Sequence, residues 1–100
     1  MPRTELTGAQ RKRLRGLAHD LDALIQIGSG GLSENVLSNI DKALEHHELI
    51  KVRFMALRQQ KKALCSQIEN RLDCHLAGLV GHVAILYRSA ACEDDRRVQP

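Results

Sequence analysis

Aromatic side chains are nearly missing: Phe54 and Tyr87 are the only two in 100 residues, and there is no tryptophan. The core must therefore be aliphatic, and a recognition sheet that stacks unpaired bases on several rings is excluded. Cysteine is scarce and odd in number, at Cys65, Cys74 and Cys92 without C-x-x-C spacing. That implies neither a disulfide framework nor a zinc knuckle, and fits reduced thiols. No apolar run is long enough to cross a bilayer, and the N-terminus lacks the apolar stretch of a signal peptide. These absences lead us to expect a cytoplasmic location with no membrane partner.

What is present describes one ordinary globular domain, 43% hydrophobic and 27% charged, large enough for a core without staples. The net charge is only +3, but it is segregated. Arg3, Arg11, Lys12, Arg13 and Arg15 stand against Glu5 and Asp20 in residues 1–20, and Lys51, Arg53, Arg58, Lys61 and Lys62 stand against no acid in residues 51–62. Between them Asp22, Glu34, Asp41, Glu45 and Glu48 face Lys42 alone. A basic face and an acidic face follow, and the basic one steers polyanions more strongly than net charge suggests.

The periodicities give the element order. Thr7 with Gln10 has capping-box spacing, and Leu14, Leu17, Ala18 and Leu21 form a helical stripe, with Lys12 and His19 opposite it and Arg13 and Arg15 flanking it. These cations are expected on the exposed surface. Gly16 inside that helix suggests close approach of another backbone. Leu24 to Ile27 reads as a short buried strand; Ser33 caps a second helix with the stripe Val36, Leu37, Ile40, Ala43 and Leu44. Leu49 to Phe54 alternates, placing Ile50, Val52 and Phe54 on one face and Lys51 and Arg53 on the other. A third helix is expected over Arg58 to Leu72, carrying Leu64, Ile68 and Leu72. Two apolar runs around Gly81-His82, Leu76 to Val80 and Val83 to Tyr87, are spaced as a hairpin. The order α-β-α-β-α-β-β predicts one sheet packed by helices, in the α/β or α+β class. A single domain is expected over residues 1–88, followed by a polar disordered tail over 89–100.

The stretch that carries chemistry is Gly28-Ser29-Gly30-Gly31, between the first strand and the second helix. Three glycines uncover the backbone amides, and a helix start adds its positive dipole end, so an anion can be held by backbone alone. Nucleotide-enzyme readings fail: no lysine follows the last glycine as in the P-loop, and the last place of G-x-G-x-x-G falls on Ser33. The adjacent His46 and His47 diverge on a helix, and Cys74-His75 has no partner pair, so no metal and no catalytic residue is assigned. His19 and His82 are read as surface or phosphate-contacting groups. What remains is polyanion recognition through a G-x-x-G loop and separated cations, a known RNA-binding solution.

Taken together, Leu6-Thr7 with Arg11 to Arg15, Leu14 to His19, Gln26 to Leu32, Ala43 to Val52 and Gly81-His82 through Arg88 resemble the bacterial YhbY family, a free-standing CRM domain. The resemblance covers residues 5 to 88. It implies a fold similar to the C-terminal domain of translation initiation factor three, a four-stranded mixed sheet with helices packed on its faces. It also implies a non-catalytic, cofactor-free assembly factor binding rRNA of the precursor large ribosomal subunit, here expected as a monomer without a small-molecule substrate. Carried over by position, the RNA-binding loop falls on Gly28, Ser29, Gly30 and Gly31, and the basic first helix on Arg11, Lys12, Arg13 and Arg15. Relatives commonly place a lysine and often an asparagine between the outer glycines, whereas this chain has Ser29 and Gly30, so its loop has lost a cation. The alternative is a protein-binding adaptor on the ribosome whose acidic second helix, with Asp41 and Glu45, meets a basic protein. Whether Lys51, Arg53, Arg58, Lys61 or Lys62 touches RNA is left open.

Overall fold

A computed structural model describes residues 6–89. The order is α1 (Gly8–Ala18), β1 (Ala23–Ile27), α2 (Glu34–His47), β2 (Leu49–Phe54), a 3₁₀ turn (Arg58–Gln60), α3 (Lys61–Leu72), β3 (His75–Val80) and β4 (Val83–Tyr87). The four strands form one sheet in the order β1-β2-β4-β3. β1 and β2 are parallel, with α2 as the crossover between them, and the other pairings are antiparallel. This mixed α+β sheet is the expected fold. Of the expected tail only Ser89 is described; Cys92 lies outside the described residues.

The pleat sorts the core into two layers. On one face Ile27, Leu37, Ile40, Leu44, Ile50, Val52, Phe54, Ile68, Ala84 and Leu86 pack beneath α2 and α3, with Cys65 and Cys74 among them. On the other, Leu14 and Ala18 of α1 pack on Leu49, Ala77, Ile85 and Tyr87. Both aromatic residues are thus buried, one in each layer. Arg88 ties the end of β4 to the helices behind it. Its guanidinium donates to the Asp41 carboxylate at 2.7 Å, to the Asp41 carbonyl at 3.0 Å and to the Leu72 carbonyl at 2.9 Å.

Local signals set most boundaries. Thr7 and Gln10 make both halves of the capping box, and Ser33 Oγ accepts from the Val36 N–H. Gly81 takes the hairpin turn at φ +59, a conformation that favours glycine. Three expectations need correction. The first helix stops at Ala18, tightened by a His19 N–H to Gly16 carbonyl bond. Leu17 and Leu21 are consequently exposed rather than part of the stripe, because only the Leu14 and Ala18 edge of so short a helix rests on the sheet. A Cβ on Gly16 would meet nothing within 4 Å, so among the described residues no other backbone packs against it there. Residues Arg58 to Gln60 form the 3₁₀ turn, and the α-helix begins at Lys61.

Candidate nucleic-acid interface

The glycine loop leaves β1 at one end of the sheet. Its fold is a tight turn in which the Gly31 N–H donates to the Gly28 carbonyl at 3.0 Å. Gly31 is buried, has φ +68, and a Cβ there would lie 3.3 Å from the Leu57 side chain. The backbone itself demands glycine at that position. Gly28 and Gly30 differ: both are exposed, neither has a positive φ, and a Cβ on either would meet nothing within 4 Å. Folding does not require their bareness. It leaves the outer rim of the loop open to close approach by another molecule's backbone.

The connection after β2 supports this loop. The Ile27 carbonyl accepts from the Met55 N–H at 2.9 Å and the Ala56 N–H at 3.2 Å, and Leu57, itself at φ 55, lays its side chain on Gly31. Arg58 follows at once, its Nε donating to the Phe54 carbonyl at 3.4 Å. The Gly81-His82 turn stands at the same end, because the Phe54 N–H donates to the His82 carbonyl at 2.7 Å. Lys61 Nζ donates to the Gly81 carbonyl and lies 3.3 Å from His82 Nδ1. Desolvation by its neighbours, then the charges of Lys61 and Arg58, hold the His82 imidazole below its ordinary range. This end of the sheet therefore carries the loop amides, the cations Arg58 and Lys61 that follow β2, and the imidazole of the Gly81-His82 turn.

The start of α2 is less simply positive than a bare helix end. Ser33 already occupies the Val36 amide, and Glu34 in the first turn pairs with Arg71 at 2.9 Å. The carboxylate offsets the dipole there, so the loop amides and nearby cations carry most of the attraction for an anion.

The α1 cations divide. Lys12 and Arg13 are exposed. Arg11, expected on the surface, is half-buried and its guanidinium donates to the Leu76 carbonyl; Arg15 Nη1 donates to the Ala77 carbonyl at 3.3 Å. The reason is topological: β3 is an edge strand with a register shift between Leu76 and Gly78, so its backbone has carbonyls outside the ladder. Arg15 lies so close over Gly78 that a Cβ there would come within 2.5 Å of its Cδ. From that anchor Arg15 joins His19, Lys51 and Arg53 along a cleft on the α1 face of the sheet, with Asp22 as the one acid of its lining among the described residues.

The CRS1 / YhbY (CRM) domain family matches residues 6–88 of the chain. The chain belongs to this family. An RNA-binding protein of Haemophilus influenzae is 40% identical over 86 residues, covering 85% of this chain and 87% of the relative. A probable RNA-binding protein of Bacillus subtilis is 33% identical over 86 residues, covering 85% and 90% respectively. The solution structure of a Staphylococcus aureus hypothetical protein, described there as a candidate RNA binder, superposes with a TM-score of 0.79 at 34% identity, covering 95% of this chain and all of that one.

In this CRM domain the four loop residues and Arg15 lie toward the sheet end just described, while Arg11 is held at the start of β3. Strand alternation had put Lys51 and Arg53 on one face, but only the short α1 explains why that face is partly uncovered. Lys51 Nζ donates to the His19 and Leu21 carbonyls at 3.3 and 2.9 Å, capping the end of α1. Asp41, which with Glu45 forms the acidic face of the alternative reading, pairs with Arg88 at 2.7 Å. Among the described residues no group of three or more His, Cys, Asp or Glu side chains could hold a metal ion, and no helix is long and apolar enough to cross a membrane.

Proposed function

We propose that this CRM domain binds RNA through Gly28 to Gly31 and the cations around that end of the sheet, and that it serves as a non-catalytic assembly factor on rRNA of the precursor large ribosomal subunit. The observation that carries the reading is the open, exposed backbone at Gly28 and Gly30, where folding itself asks for no glycine, at the end of the sheet that also carries Arg58, Lys61 and His82. The names of the relatives support RNA as the class of partner. In mechanism, the loop amides donate to a phosphodiester oxygen and the cations at that end hold neighbouring phosphates, with the exposed Lys12 and Arg13 of α1 extending the contact farther along the RNA. Ser29 and Gly30 supply no charge, so the flanking groups replace the lysine common in relatives.

The direct test replaces Ser29 and Gly30 together by aspartate. Binding to deproteinised large-subunit rRNA should fall at least tenfold, a loss of about 1.4 kcal/mol, while circular dichroism stays that of the folded protein. Unchanged affinity would move the site elsewhere. If about four phosphates of a single strand are neutralised, log affinity falls against log salt with a slope of about −3; indifference to salt would rule out the electrostatic mechanism and favour a protein partner.

A further inference from the structure

We propose that the cleft on the α1 face of the sheet holds one unpaired nucleotide of the bound RNA strand, with its base on Val80 and Val83, next to Ile85, and its phosphate toward Arg53. This rests on the RNA-binding reading above and extends it from backbone contact to a base subsite.

The cleft exists because α1 ends at Ala18, leaving the part of the sheet nearest the glycine loop without a helix over it among the described residues. Its floor is aliphatic, open at Val80, which is 61% exposed, half-buried at Val83 and closed at Ile85, which is 3% exposed. Exposed apolar surface bordered by charge on a small domain marks a binding site more often than a defect. The walls are Arg15, His19, Lys51 and Arg53, against Asp22 alone. Arg15 and Lys51 are fixed in place by backbone carbonyls, whereas the Arg53 guanidinium is exposed and makes no hydrogen bond or ion pair among the described residues. It is the group with its donors to spare.

Position connects the cleft to the loop. Gln26, Arg53, Val83 and Val80 lie in one row across the four strands. Gln26 is two residues before Gly28, about 7 Å along the strand. A nucleic-acid strand whose phosphate sits on the loop meets this row next. The cleft volume of about 230 Å³ is below the range of about 300–1,000 Å³ usual for drug-sized ligands, so it accommodates a single base rather than a dinucleotide. A paired base has both faces stacked and cannot enter a concavity on a sheet, so the occupant is unpaired. The lack of an aromatic platform is no obstacle, since a flat aliphatic floor also removes a base from water.

The test compares a twelve-nucleotide oligouridylate with a blunt RNA duplex of the same length by fluorescence anisotropy. Val80→Ser with Val83→Thr removes the apolar floor without changing charge. Affinity for the oligouridylate should fall about five-fold, the low end of single-base stacking, with the duplex unchanged within about two-fold. Equal losses on both RNAs, or no loss on either, would overturn the subsite. Ser29→Asp with Gly30→Asp is run in parallel: if it affects neither RNA, the loop reading fails, whatever the cleft variants do. As a measurement on the unaltered protein, the methyl resonances of Val80, Val83 and Ile85 should shift on adding the oligouridylate and stay in place with the duplex. Unmoved methyls would reject the proposal even if the variants unfold.

Discussion

Alanine at Gly31 and at Gly30 should have opposite effects on stability, although the two glycines are neighbours in one turn. At Gly31 the side chain would have to adopt φ +68, and its Cβ would press on Leu57 at 3.3 Å. The left-handed conformation costs about 1–2 kcal/mol in an L-residue. The crowding is relieved by a shift of a few tenths of an ångström in a half-buried leucine, so we expect a total near 2 kcal/mol. For a domain of this size that lowers the midpoint by about 8–16 °C. At Gly30 the φ is not positive and the site is open. Alanine there mainly restricts the unfolded chain and should be neutral or stabilise by up to about 1 kcal/mol. Thermal and urea unfolding followed by circular dichroism measure both. RNA affinity should invert the ranking relative to stability, because the methyl of Gly30→Ala stands on the open rim that a phosphodiester must approach. If Gly30→Ala destabilises as much as Gly31→Ala, or if Gly31→Ala is neutral, the assignment of separate roles within the loop is wrong.

Other expectations follow from single contacts. Replacing Arg88 by methionine removes three hydrogen bonds from a partly buried guanidinium and should cost about 2–3 kcal/mol in urea unfolding. Lysine should not restore it, because one ammonium cannot reproduce the planar fork. His82, depressed below its ordinary value of 6.5 by desolvation, Lys61 and Arg58, is neutral at pH 7. A nearby phosphate favours the imidazolium, so RNA affinity should rise as pH falls from 7.5 to 5.5, with His82→Gln reducing that slope. In the free protein the sign is opposite: the stability tied to a depressed histidine is present above pH 6.5 and lost as pH falls through the folded value. Burial, then the Glu69 charge, pushes the Cys65 thiol up to about 11 despite Lys61. Iodoacetamide at pH 8 should therefore modify Cys65 slowly in the native protein and rapidly in denaturant; equal rates would show that its layer of the core opens.

Much of the fold was legible because its signals are local. The capping box at Thr7, the Ser33 cap, the alternation from Leu49 to Phe54 and the glycine of the hairpin each act within a few residues, and the structure agrees with each. What sequence could not give depended on tertiary packing. Arg11 loses part of its exposure, and Arg15 is tethered while still exposed, only because β3 is an edge strand with carbonyls to be met, and strand order is not written in periodicity. Leu17 and Leu21 fall in a perfect helical stripe, yet α1 stops at Ala18 once Lys51 takes the carbonyls beyond it. The loop was visible as three glycines, but not the difference among them: Gly31 serves the turn, whereas Gly28 and Gly30 leave a surface open.

Ultraviolet cross-linking of the intact protein to large-subunit rRNA, followed by mass spectrometry of the modified peptides, tests the central claim most directly. The account expects adducts in Gly28 to Gly31 and in the neighbouring segments that carry Arg53, Arg58 and Lys61. Adducts confined to α2 and the Glu34–Arg71 side, with none on the glycine loop, would contradict it.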